Sequence, residues 1–175
     1  MTATLYQRIL GEQFELLPEP LRRFHGSPNG GRAAGSFRVE RGVGRMRAFL
    51  AAIGKLPPAG EGVPLRLDVD VRGEEEHWTR SFGSSRLFTR QFAHDGRLVE
   101  LHPPWKLRIR LGATDKGMQL EHERCYWHGI PLPRLFAPRV ESYVEARGER
   151  WFVEVTIGMP LVGMVCRYSG EVQPA

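Results

Sequence analysis

Apolar and polar positions change their period once along this chain, and the change divides it in two. Before Lys55 the apolar residues recur at helical spacing. Leu5, Ile9 and Leu10 fall at i, i+4 and i+5, and a second turn follows around Phe14 to Leu17. Pro20 then opens Leu21–His25, a place in a helix where its missing N–H is not needed. Met46, Phe49, Leu50 and Ile53 fall at i, i+3, i+4 and i+7 ahead of Pro57-Pro58, which lays one apolar stripe along a helix. The pattern predicts a helical N-terminal part over 1–26 and a helix over 45–55. A loop at Ser27–Gly31 and a strand over Ala33–Glu40 lie between them.

From Val63 onward the period is two. Leu65, Leu67, Val69 and Val71 alternate with Arg66, Asp68, Asp70 and Arg72, the signature of a half-buried strand. Further strands are predicted over His77–Phe82, Arg86–His94, Arg97–His102, Trp105–Leu111, Met118–His128, Arg139–Arg147, Trp151–Ile157 and Val165–Val172. Gly83-Ser84-Ser85, His94-Asp95-Gly96, Asp115-Lys116-Gly117 and Gly148-Glu149 separate them. Connections this short join antiparallel neighbours, because parallel crossovers need a dozen or more residues. In His128–Pro138, Pro131, Pro133 and Pro138 forbid ladder hydrogen bonds, so this stretch reads as a crossover loop. The predicted class is α+β, with one domain over 1–175. A strongly curved antiparallel meander or barrel-like sheet of about eight to nine strands, over 63–173, has N-terminal helices packed on or in it. The helix over 45–55 is expected in or across its mouth.

Composition narrows this picture only slightly. Hydrophobic residues make up 41% and charged residues 26% of the 175, which excludes a disordered chain. The net charge of +5 permits contact with anions. Lysine occurs only at 55, 106 and 116, and this arginine-heavy usage reflects a GC-rich genome. The basic face of Trp105–Leu111 is diluted by glutamates on neighbouring strands, so no nucleic acid is expected. Cys125 and Cys166 form no CxxC and read as free thiols of a reducing compartment. Met1–Pro20 carries Glu12, Glu15 and Glu19 and does not read as a signal peptide. Ile157–Cys166 is interrupted by Pro160, so no transmembrane segment is expected. Together these point to a cytoplasmic protein.

Candidate chemistry comes from arginines in step with aromatics. Trp78, Arg80 and Phe82 are spaced by two, as are Phe88, Arg90 and Phe92, and residues two apart on a strand share a face. An arginine beside core rings needs a partner, a ligand or a wet cavity. Glu100 shares a face with Leu98 and His102, while His122 and Arg124 share one with Met118 and Leu120. The expected site is a cavity walled by Met46, Phe49, Leu50, Trp78, Phe82, Phe88 and Phe92. Arg80, Arg90 and Arg124 would hold an anion there, and Glu100 and His122 complete the polar set. The function expected is non-catalytic binding of a hydrophobic or amphiphilic anionic small molecule. One alternative is an isomerase or lyase using Glu100 with His102 or His122 as acid and base. Another is an interaction domain with a packed interior, docking through the loop Ile130–Pro138.

Other chemistries find no support. His122 and His128 fall on one strand face and Cys125 on the other, so no metal is expected. Gly42-Val43-Gly44 has Arg47 where a dinucleotide fingerprint needs its third glycine, and no cofactor is expected. There is no GxSxG.

Four stretches together resemble a bacterial family, domain of unknown function 4166. They are Leu5–Gly11 with Leu17-Pro18 and Phe24-His25-Gly26, the strand His77–Gly83, the loop Gly129–Pro133 to Ala137-Pro138-Arg139, and Met159–Gly163 to Tyr168-Ser169-Gly170. The resemblance spans nearly the whole chain. It implies a self-contained cytoplasmic domain, found alone or beside nucleotide-binding oxidoreductase-like domains, and hence a partner of that kind. It supplies no catalytic residue.

Overall fold

A closed ring of ten antiparallel strands organises the chain in the computed structural model, which describes residues 3–175. The strands are β1 (Gly31–Arg41), β2 (Gly60–Arg72), β3 (Glu75–Phe82), β4 (Ser85–His94), β5 (Arg97–His102), β6 (Trp105–Ala113), β7 (Gly117–Trp127), β9 (Arg139–Arg147), β10 (Arg150–Met159) and β11 (Gly163–Pro174). A two-residue strand, β8 (Ile130–Pro131), is appended to β7. Each barrel strand pairs with its neighbours in sequence, β7 pairs with β9, and β1 closes the ring on β11. The predicted meander is present, but eight to nine strands were too few. The segment around Ala33–Glu40 is a full barrel member wedged between β2 and β11, and without it two long edges would stay unpaired.

Closure on β1 depends on small residues. Gly35 opposes Val172 and Gly170 opposes Phe37. A Cβ on either glycine would run into a partner-strand carbonyl, so the two backbones approach where larger residues could not. Along β2 the alternation is as expected: Leu65, Leu67 and Val69 are buried inside, and Arg66, Asp68 and Asp70 face out. Arg32 and Arg66 both reach Asp68 on the outer surface. This is the reverse of a lipid-spanning barrel, which carries its apolar band outward. No helix among the described residues is long and apolar enough to cross a membrane.

Because neighbouring strands alternate in direction, the connections separate into two ends. At one end lie the turns after β2, β4, β6 and β9, together with α1 (Leu5–Leu10), a 3-10 turn (Gly11–Leu16) and α2 (Glu19–His25). The helical reading of 1–26 holds here; its first two residues lie outside the described residues. Thr4 and Gln7 form a reciprocal capping box at the start of α1. The Thr4 hydroxyl also donates to the carbonyl of His25 at 2.8 Å, tying α1 to α2. Tyr6, Leu10, Phe14, Leu17 and Leu21 bury themselves in the barrel end and plug it.

At the other end lie α3 (Arg45–Ile53), the turns after β3, β5 and β10, and the excursion from β7 to β9. The helix predicted over 45–55 therefore exists and lies across the mouth. Arg47 donates to the carbonyl of Val162 at 2.9 Å, beside β11. The carbonyl of Gly54, just past the helix, lies 2.9 Å from His102 Nε2 at the end of β5. β5 and β11 sit on opposite sides of the ring, so α3 bridges the mouth from rim to rim.

Candidate functional site

Eight strands give a barrel just wide enough for side chains to fill, and ten leave room. Between plug and bridging helix lies an interior cavity of about 190 Å³. Its walls are apolar: Phe37, Leu67, Trp78, Phe82, Ile109, Val144 and Val155 among others, with Leu56 beneath α3. A small polar group interrupts them. Arg80 donates from Nη1 to Thr89 Oγ1 at 2.8 Å and to Glu100 Oε1 at 3.2 Å, and its guanidinium carbon lies 4.9 Å from the Trp78 ring centre. Both bonds leave from Nη1, and no hydrogen bond from Nε or Nη2 occurs among the described residues. Burial works against this charge. Glu100, with Tyr168 and Tyr6 beyond it, outweighs that cost and holds the guanidinium protonated. The interior position of Arg80, between Trp78 and Phe82 on β3, follows from strand parity.

The adjoining strand behaves differently. The two-residue turn Gly83-Ser84 sets Phe82 opposite Ser85, Arg80 opposite Leu87 and Trp78 opposite Thr89. Residues directly opposed in a sheet share a face, so Leu87, Thr89 and Gln91 point inward and Phe88, Arg90 and Phe92 point out. Phe88 is 52% exposed, near His77 on the outer surface. Arg90 pairs with Glu75 at 3.3 Å and lies over Phe92. These three expected wall and anion residues are therefore not in the cavity. Register, set by the turn, overrides the appeal of burying rings.

Arg124 and His122 are also displaced. β6 and β7 slip register between Arg108 and Ile109, with Glu123 as the additional residue on β7. Glu123 gathers Arg97 and Arg110 at 3.0 and 2.8 Å. One bulge inverts every later residue on the strand, and Arg124 is exposed. His122 lines an open groove where β7 parts from β9, and burial lowers its pKa. On α3, Arg47 and Ala51 take the inward face, leaving Met46 and Phe49 59% and 60% exposed. Leu50 is half-buried and does not line the cavity. Helical spacing marks a stripe without saying which way it faces.

Glu100 and His102 do line the cavity. Glu100 is held by Arg80, and both His102 ring nitrogens face carbonyls, Phe88 O at 3.0 Å and Gly54 O at 2.9 Å. His102 thus has both nitrogens occupied, and Glu100 is engaged by Arg80 through Oε1. The sequence reading missed Thr89 and Gln91 because it followed the rings on β4. It missed Tyr6 and His25 because they arrive from helices distant in sequence. Tyr6 donates to Gln91 Oε1 at 3.0 Å, and its ring lies tilted against His25, whose pKa burial lowers to about 3. Glu76, accepting from Trp78 Nε1 at 2.9 Å, is pushed up to about 7 by burial. No group of three or more possible metal ligands occurs among the described residues.

The family model described as "Domain of unknown function (DUF4166)" matches residues 17–172. No curated protein and no solved structure matches the chain.

Proposed function

The chain belongs to the DUF4166 family, and on that premise we propose that its barrel is a non-catalytic binding domain for a compact amphiphilic anion. The observation that carries this is Arg80, charged inside an apolar cavity, with no hydrogen bond from Nε or Nη2 among the described residues. Two parallel N–H donors suit a carboxylate held bidentately. Thr89 and Glu100 fix the guanidinium so that little freedom is lost on binding. The cavity of about 190 Å³ exceeds the roughly 150 Å³ that accommodates benzene and falls below the ~300 Å³ where drug-sized pockets begin. A short aliphatic or single-ring carboxylate fits that volume.

Native mass spectrometry of freshly purified protein, with solvent extraction, is the first test, followed by thermal melts with octanoate. A stoichiometric small-molecule mass, or stabilisation by octanoate, is the expected result. In the double variant Arg80→Leu with Glu100→Leu, both charges go together, so stability is kept or raised while octanoate binding is lost. An apo mass with no octanoate effect, or binding that survives the double substitution, overturns the proposal.

A further inference from the structure

The two barrel ends differ in charge as well as in shape. At the plugged end each hairpin turn carries one carboxylate: Glu74, Asp95, Asp115 and Glu149. At the helix-bridged end the connecting segments 41–60, 83–86, 102–106, 128–139 and 160–163 contain no Asp or Glu at all. They do contain Arg41, Arg45, Arg47 and Lys55 around α3, and Arg86, Lys106, Arg134 and Arg139 around the rim. None of these eight cations joins an ion pair among the described residues; Arg41 and Arg47 are turned onto the carbonyls of Leu56 and Val162, which leaves the other six for an outside partner. Arginines near the plug, such as Arg22, Arg23 and Arg147, are paired.

The same end collects the exposed apolar side chains. Val43, Met46 and Phe49 project from α3 and its entry, 86%, 59% and 60% exposed. Leu161 on the β10–β11 turn and Leu135 and Phe136 on the β7–β9 excursion are each at least half exposed. Trp105 and Trp127 meet edge to face at the rim, half-buried, with ring centres 4.3 Å apart. Helix α3 thus turns its apolar face to solvent, the opposite of what a helix covering a core does.

We infer that this end docks on an anionic membrane surface, with α3 lying in the headgroup layer. Apolar side chains interleaved with unpaired cations are what an anionic bilayer recognises: Phe and Met enter the acyl boundary while arginines and lysines meet the headgroups. An acidic protein patch would match the cations but not the projecting apolar face. Charges at the far end are largely paired, so the excess positive charge at the rim presents that end to a negative surface. The proposal concerns the outer surface and holds whatever the cavity contains.

The test is co-sedimentation with vesicles of phosphatidylcholine mixed with phosphatidylglycerol, against vesicles of phosphatidylcholine alone. Intrinsic fluorescence is followed in parallel. Binding is expected only to the mixed vesicles, weakening with salt, with a blue shift from Trp105 and Trp127. Trp78 and Trp151 are buried and stay silent. Arg45→Glu with Lys55→Glu should weaken binding at least about thirtyfold, and Met46→Ser with Phe49→Ser about tenfold. All four side chains are exposed, so the fold survives, and unchanged thermal melts check this. Equal binding to both vesicle types, or none to the mixed ones, overturns the inference. Self-association through α3 that leaves vesicles unbound also overturns it.

Discussion

One end of this barrel is built like a core and the other like a surface waiting for contact. At the plug, Tyr6, His25, Phe24, Trp78 and Trp151 interlock with ring centres 3.9 to 6.4 Å apart. Titratable groups are buried there against their preference. At the rim, a nine-residue helix bridges the opening with two hydrogen-bonded anchors and shows its large apolar residues to water. The difference shows how a closed barrel divides its labour: stability concentrates where the N-terminal helices fill it, and access is left where they do not.

The largest effect expected from this division is at the plug. Leu21 is fully buried, and Leu21→Ala should cost about 2–5 kcal/mol in denaturant unfolding. A loss below 1 kcal/mol would mean that the plug adds little and that the contrast between ends is superficial.

Next comes pH. His25 has its pKa lowered from 6.5 to about 3, so between those values the unfolded chain takes up a proton that the folded one refuses. Stability through His25 therefore falls as pH drops through this window. Glu76, raised from 4.5 to about 7, has the opposite sign: the folded chain keeps a proton that the unfolded one releases, and stability falls as pH rises. Over its window the effect amounts to roughly 5 kcal/mol for His25 and roughly 3 kcal/mol for Glu76. They oppose one another between pH 4.5 and 6.5. His25→Phe should flatten the acid side, while Glu76→Gln keeps an acceptor for Trp78 and should raise stability at pH 7. Denaturant curves across pH 4–8 that are parallel for wild type and both variants would contradict the burial of these groups.

Phe49→Ala at the rim should change stability by less than ~0.5 kcal/mol, since the ring is already in water. A Tm drop comparable to that of Leu21→Ala would place Phe49 in the core instead.

The smallest effect is kinetic. Cys125 and Cys166 are buried, with thiols pushed up to about 12 and 11. Both lie toward the rim end of their strands. Their modification by a thiol reagent should be slow and follow local opening of the rim, so it should accelerate in Arg47→Ala, which loses the anchor to Val162. Labelling unaffected by that change but accelerated by Leu21→Ala would assign the first opening to the plug.

Much of the fold was legible because period two is unambiguous where one face is dry and the other wet. β2 reads directly from Leu65 to Arg72, and the turns at Asp95-Gly96 and Gly148-Glu149 locate hairpins by their chemistry. Arg80 and Glu100 were legible for the same reason. What failed were the steps needing register. Phe88, Arg90 and Phe92 alternate correctly, but only the pairing across Gly83-Ser84 says which side faces in. Arg124 lies beyond a bulge that no local pattern marks, and the outward turn of Met46 and Phe49 goes with Arg47 reaching the carbonyl of Val162 in the distant β10–β11 turn. Parity is a local property, whereas facing is settled by partners far along the chain.

The closure of β1 on β11 has a kinetic consequence. Eight of the ten strand junctions join hairpin neighbours through short loops or, for β1–β2, across α3, and the β7–β9 junction spans one modest excursion. Only the seam between Gly31–Arg41 and Gly163–Pro174 pairs segments from opposite halves of the chain. Loop-closure entropy makes such a pairing late. The ring therefore zips hairpin by hairpin from its middle and seals last at Phe37, Val39 and Tyr168. Conservative truncations at the seam should speed unfolding while leaving the folding rate nearly untouched.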